Sequence, residues 1–236
     1  MILILIFLYT CFIYIESLAI LARYAGQISH ERAMGYTMHN AILALNRFLG
    51  FMIGPLVGYL IEIGYDKHKL FYVAMFCSIL GGFATLLNAL YSKYSLERFI
   101  DILNKIKKDG YKVLSFFSCI TQSSRNKLDD MQKIQLKMAD FNLTFSVAIT
   151  TSLYYGVSFY LGLIAYSNLN YRGTILQMTG VVTGVGSLLL NFYTFPKLTE
   201  FENKGNALNG YGSIYLGKIV GLIIIQPAFV LIAYKL

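Results

Sequence analysis

Charge is scarce in this chain. Asp, Glu, Lys and Arg make up 14% of its 236 residues, against about 25% in an ordinary soluble domain, and the mean hydropathy is +0.57. That deficit excludes a soluble globular domain. Cysteine is scarce too: three residues, an odd number, supply no disulfide framework. Cys11 and Cys77 fall in apolar runs and Cys119 in a long polar segment, and all three read as small packing residues. Catalytic parts are also missing. There is no G-x-x-x-x-G-K-[ST] phosphate loop and no H-E-x-x-H, and His30, His39 and His68 are not spaced as metal ligands. Every Asp lies in a loop or at the edge of an apolar run, and Ser187 lacks a G-x-S-x-G context. The expectation is a protein that is not an enzyme and carries neither cofactor nor metal.

Long apolar runs are what the chain has instead. Six stretches reach the length needed to cross a hydrocarbon core of about 30 Å: 1–21, 35–61, 70–91, 141–166, 173–195 and 214–234. They predict an all-α integral membrane protein with six transmembrane helices, one domain over 1–236, and a loop at 92–140 between helices three and four. The first run has no basic stretch before it and is too long for a signal peptide, so it reads as a retained span.

The net charge of +8 is a topology signal rather than a nucleic-acid one. Lys and Arg concentrate in the loops after runs one, three and five, and above all in 92–140. The positive-inside rule puts those loops in the cytoplasm and both termini outside, with some attraction to anionic lipid. Within 92–140, "SLERFIDILNKIKKDG" carries Leu96, Phe99, Ile100, Leu103 and Ile106 at helical spacing. It predicts an amphipathic helix capped by Ser95, ended by Gly110 and lying on the inner leaflet. "NKLDDMQKIQLKM" is a weaker second candidate.

Three ionisable residues interrupt the runs: Glu16, Arg47 and Lys218. Each central charge costs about 2.5–3.5 kcal/mol on insertion scales, and such residues are functional candidates by default. Arg47 belongs to a stripe with Asn40 and Gly54, spaced by seven, with Gly50 and Gly58 on the same face. In the fifth run Gln177, Gly180, Gly184, Ser187 and Asn191 form a second stripe, and Glu16 and Arg23 share a face of the first. Lys218, near the inner end of the sixth run, is also placed to snorkel to the interface. The glycine pairs Gly50–Gly54–Gly58, Gly180–Gly184 and Gly217–Gly221 equally fit plain close packing of helices, and Glu16 with Arg47 fits a structural ion pair. Charges and small residues on one stripe favour a polar cavity. Gly54-Pro55 and Pro227 are candidate hinges, since proline removes a backbone donor; Pro196 reads as a helix terminator.

The segment "YIESLAILARYAGQISHERAMGYTMHNAILALNRFLGFMIGPLVGYL" resembles the start of the Amj family of bacterial lipid II flippases, with Glu16, Arg23, Ala25, Gly26, Arg47, Pro55 and Gly58 at the matching places. "LQMTGVVTGVGSLLLNFYTFPKLTEFENKG" and "GKIVGLIIIQPAFVLIAY" look like the family's fifth and sixth spans. The likeness covers nearly everything outside the central loop. One departure is Phe195, where the family pattern has an aspartate before the proline. The resemblance implies a multi-pass protein of the bacterial cytoplasmic membrane that flips an undecaprenyl-pyrophosphate-linked peptidoglycan precursor. Another polyprenyl-linked glycan, or a scaffold role in an envelope complex, stays open beside it, as does an intramembrane enzyme acting on a lipid phosphate.

On that reading Arg47 pairs with the pyrophosphate, because guanidinium binds phosphate bidentately. Arg23 and Lys218 receive the head group at the cytoplasmic mouth, and Glu16 either holds Arg47 in the empty site or carries a proton. Asn40 belongs to the same polar face, and Gln177, Ser187 and Asn191 offer hydrogen bonds to sugars. The expected partners are the lipid-linked precursor and membrane lipids, with self-association left open and nucleic acid not expected. With no nucleotide site, an ion gradient, the membrane potential or downstream consumption drives the movement.

Overall fold

The computed structural model describes residues 1–110, 134–136 and 138–236. Cys119 and most of the "NKLDDMQKIQLKM" stretch lie outside the described residues. Among the described residues there are nine α-helices: α1 (Ile2–Ile28), α2 (Arg32–Glu62), α3 (Lys67–Leu90), α4 (Ser92–Asp109), α5 (Phe141–Ser167), α6 (Arg172–Leu189), α7 (Phe195–Asn203), α8 (Ala207–Val220) and α9 (Gln226–Lys235). α6 runs into α7, and α8 into α9, each through a π-helical turn, Leu190–Thr194 and Gly221–Ile225. Counted as continuous rods, six among the described residues are long and apolar enough to cross a membrane. The described residues are nearly all helical, and the six apolar rods mark a multi-pass membrane protein.

Side chains explain where the helices begin and turn. Asp66 and Asp140 accept hydrogen bonds from the backbone N–H groups of Lys69 and Leu143, both at 2.9 Å, capping α3 and α5. α1 and α2 form a tight hairpin because Gly26 and Gly35 cross with almost no gap; a Cβ on Gly26 would stand 2.5 Å from the Gly35 Cα. Only glycine on both helices permits that approach.

Proline does not stop the fifth span. The helix expected to terminate at Pro196 widens into the π-turn at Leu190–Thr194 and continues to Asn203. Pro227 likewise follows the π-turn Gly221–Ile225. A π-turn absorbs the steric and hydrogen-bonding defect that proline brings to a regular helix. α2, by contrast, stays α-helical through Pro55. The missing N–H there leaves the Phe51 carbonyl without its usual i+4 donor.

α5 is the most buried of the long helices, whereas in α6 only Gly186 is buried. The fifth span therefore leans on the outside of the bundle. Large apolar side chains such as Phe7, Phe48 and Phe192 are exposed, as a lipid-facing surface requires. Several interior polar groups are paired across the bundle. Tyr9 bonds to the amide of Gln226, and the Tyr215 hydroxyl donates to the Ser17 carbonyl at 2.7 Å.

α4 packs on the protein itself. Leu96, Ile100 and Leu103 are buried in a cluster with Ile20, Leu21 and Tyr24 of α1, and Phe99 and Ile106 pack against the same cluster. Its N-terminus has no side-chain cap; Ser95 does not serve, and neighbouring Ser92 accepts instead from the Ile134 N–H. Gly110, at φ 74°, ends the helix in a backbone conformation that suits glycine.

Candidate functional site: a groove beside Arg47

Between α2, α5 and the outlying α6 runs a groove of about 800 Å³. It extends from Arg47, halfway along α2, to Glu62 at that helix's end, and from Ser187 back to Gln177 on α6. The openness comes from small residues. Cβ atoms added at Gly180 or Gly184 would meet nothing within 4 Å, and one at Gly54 would meet only the Ser158 hydroxyl at 3.9 Å. The same i, i+4 spacing behaves oppositely in the sixth span, where Cβ atoms on Gly217 and Gly221 would stand 2.5 Å from the carbonyls of Thr144 and Ala148. One glycine pair packs helices; the other makes room.

Arg47 is exposed to this groove, and among the described residues it forms no hydrogen bond or ion pair. An unpaired guanidinium in a membrane-length helix is costly unless water or an anion meets it. Behind it lies a second, smaller space of about 40 Å³, walled by Arg47, Glu16, Asn46, Tyr154, Ser187 and Asn191 among others. Asn46 donates to the Phe12 carbonyl at 2.8 Å, while its side-chain oxygen is buried without a partner. This polar recess has room for water.

Glu16 does not pair with Arg47. Its carboxylate accepts from Lys218 at 3.3 Å, and the same ammonium donates to the Tyr155 hydroxyl at 3.3 Å. Lys218 is 3% exposed, so it does not snorkel to an interface. Burial of an ammonium requires a counter-charge, and Glu16, buried on the facing helix, supplies it.

Arg23 is likewise occupied. Its Nε donates to Glu202 Oε1 at 2.9 Å and its Nη2 to Glu202 Oε2 at 3.1 Å and Thr199 Oγ1 at 2.7 Å. Tyr211 and Tyr36 donate to the two Glu202 oxygens at 2.5 and 2.7 Å. Every lobe of the carboxylate is used, and Arg23 and Glu202 are 5% and 3% exposed. Arg23 is thus a structural tie between α1 and α7. This network lies toward the end of the bundle opposite to Glu62 and Gln177.

The remaining sequence candidates divide. Gly54, Pro55, Gln177 and Ser187 line the groove. Asn191 lines only the small recess, with its amide nitrogen bonded to the Ser187 carbonyl at 2.8 Å. Asn40 is exposed and Pro227 lies in α9; neither lines either space. Sequence reasoning missed Tyr154, Tyr155 and Phe12, whose rings form the inner wall, because aromatic residues inside apolar runs carry no periodic signal of their own. It missed Glu202 because the span was ended too early at Pro196.

Fold and site together define a class: a six-span helical membrane protein with a side groove that holds one arginine unpaired among the described residues at one end. No family model, no curated protein and no solved structure matches the chain.

Proposed function

We propose that this protein is a flippase that carries an undecaprenyl-pyrophosphate-linked peptidoglycan precursor across the bacterial cytoplasmic membrane, and that Arg47 is the contact for the pyrophosphate. The observation that carries the reading is the free Arg47 guanidinium in the wall of a groove of about 800 Å³. An anionic head group cannot cross hydrocarbon unaided, and a fixed guanidinium in a low-dielectric groove offers charge-assisted, bidentate hydrogen bonds that water would otherwise supply. The resemblance of residues 14–60 to the Amj flippases favours this lipid over another polyprenyl-linked glycan. If the basic loops lie in the cytoplasm and both termini outside, the Glu62 end of the groove lies toward the outside, and the Arg23–Glu202 network lies toward the inside. Export then requires a second state in which that network parts.

The test is rescue of a bacterium depleted of its own lipid II flippase. Wild-type protein restores growth. Arg47→Ala inserts at normal levels and does not, and Arg47→Lys is impaired because it lacks the fork. Full rescue by Arg47→Ala removes Arg47 from the mechanism.

A further inference from the structure

We infer that the groove's end at Glu62 is a subsite for a cationic group on the head group, an ammonium held by the Glu62 carboxylate while Arg47 holds the pyrophosphate. The inference rests on the flippase reading for the kind of ligand, a pyrophosphate-linked head group, and names a second charge that the groove reads on it.

Glu62 is the one carboxylate among the lining residues and Arg47 the one cation. Neither forms an ion pair among the described residues. Glu16, Glu31, Glu200 and Glu202, by contrast, each have a basic partner. The ammonium of Lys67, just past the turn that follows Glu62, is engaged elsewhere: it donates to Ser167 Oγ at 2.6 Å and lies over the Tyr234 ring. Glu62 is also the last residue of α2, at the negative end of the helix dipole, where an acid lowers helix stability. Helix stability gives no reason for a carboxylate here, and a cationic ligand gives one.

Between the two charges the lining offers hydrogen bonds. Tyr59, Tyr154, Ser158, Gln177 and Ser187 line the groove, and none of their side-chain polar atoms bonds to another group among the described residues. Ser158 stands level with Gly54, and Leu176, beside Gln177, level with Gly58, so these groups are spread along the path. From Arg47 to Glu62 that path follows α2 for about 22 Å at 1.5 Å per residue. A sugar followed by a few extended peptide residues, each reaching about 3.3–3.6 Å, covers the distance, whereas a single sugar does not. The ammonium therefore belongs to a diamino acid in a peptide borne by the sugar, not to an aminosugar next to the pyrophosphate. Opposite charges at the two ends also fix orientation, since each end repels the group that the other attracts.

The experiment uses the full chain in lipid nanodiscs and two probes: a farnesyl-pyrophosphate-linked disaccharide whose pentapeptide contains a lysine, and the same molecule with the lysine Nζ acetylated, which removes the charge. The free-amine probe is expected to bind about threefold to fivefold more tightly, the upper range for an exposed ion pair. The difference is expected to shrink as salt is raised. Glu62→Gln is expected to abolish it and Glu62→Lys to reverse it, whereas Arg47→Ala weakens both probes alike. Equal binding of the two probes to the wild-type protein, or a preference that survives Glu62→Gln, overturns the inference, and the first comparison needs no variant. If the ammonium preference behaves as expected but the protein fails to rescue flippase-depleted cells, the flippase reading falls alone. If rescue succeeds and the probes bind equally, the inference falls alone. If neither probe binds, both fall.

Discussion

Glu16 and Lys218, 202 residues apart in the chain, meet at 3.3 Å inside the bundle. Arg47 shares the wall of a small recess with Glu16 and bonds to neither. The protein thus neutralises the buried Lys218 internally and leaves the exposed Arg47 available. Stability and ligand binding should separate along that line.

Removing one member of the buried pair strands the other. Glu16→Gln or Lys218→Met is expected to cost about 3–5 kcal/mol, and the double variant to recover most of it, because the desolvation penalty disappears with both charges. Thermal denaturation in detergent of the four species closes the cycle. Additive losses in the double variant would contradict the pairing.

Arg47→Ala removes no bond. Its stability is expected to stay within about 0.5 kcal/mol of wild type, even as transport is lost. A large drop in melting temperature would mean that the guanidinium holds the fold together.

The two glycine pairs should respond in opposite ways to alanine. Gly217→Ala and Gly221→Ala push a methyl group to within 2.5 Å of backbone carbonyls on α5, and overpacking of this kind costs about 1–3 kcal/mol. Gly180→Ala and Gly184→Ala meet open space and are expected to be neutral or slightly stabilising, since alanine is the better helix former. Comparison of denaturation midpoints for the four variants decides it.

Water access distinguishes a groove from a packed seam. With the native cysteines replaced by alanine, Ser187→Cys should react with a membrane-impermeant thiol reagent. Ser152→Cys, fully buried against Gly221, should stay protected. Protection of both positions would close the groove.

The Arg23 tie depends on geometry as well as charge. Arg23→Lys keeps the charge but cannot span both Glu202 oxygens and Thr199, and is expected to cost about 1–3 kcal/mol. Tyr211→Phe removes one donor from a carboxylate that keeps three others, at about 1–2 kcal/mol. Denaturation in detergent reads both, and an Arg23→Lys protein as stable as wild type would reduce the network to simple attraction.

Hydropathy made the six spans legible because a bilayer imposes length and apolarity on each segment separately. Arg47 also stood out locally, as the sole charge in its run. What stayed hidden was every property that depends on another helix. The i, i+4 glycine pattern is identical at Gly180–Gly184 and Gly217–Gly221, and only the presence or absence of α5 across from it decides between room and contact. Arg23 resembled a free basic residue because its partner Glu202 comes 179 residues later, past a proline that looked like an ending. Lys218 looked able to reach an interface because nothing in its own helix reveals Glu16 opposite.

That proline crossing has its own consequence. The turn at Leu190–Thr194 holds one residue more than a regular helix would, which rotates everything beyond it by about 100°. One continuous rod therefore serves two neighbours, facing Ser187 toward α2 above the turn and Glu202 toward α1 below it. Deleting a single residue there would regularise the helix and swing the carboxylate off Arg23, uncoupling the lower contact while the upper wall kept its register.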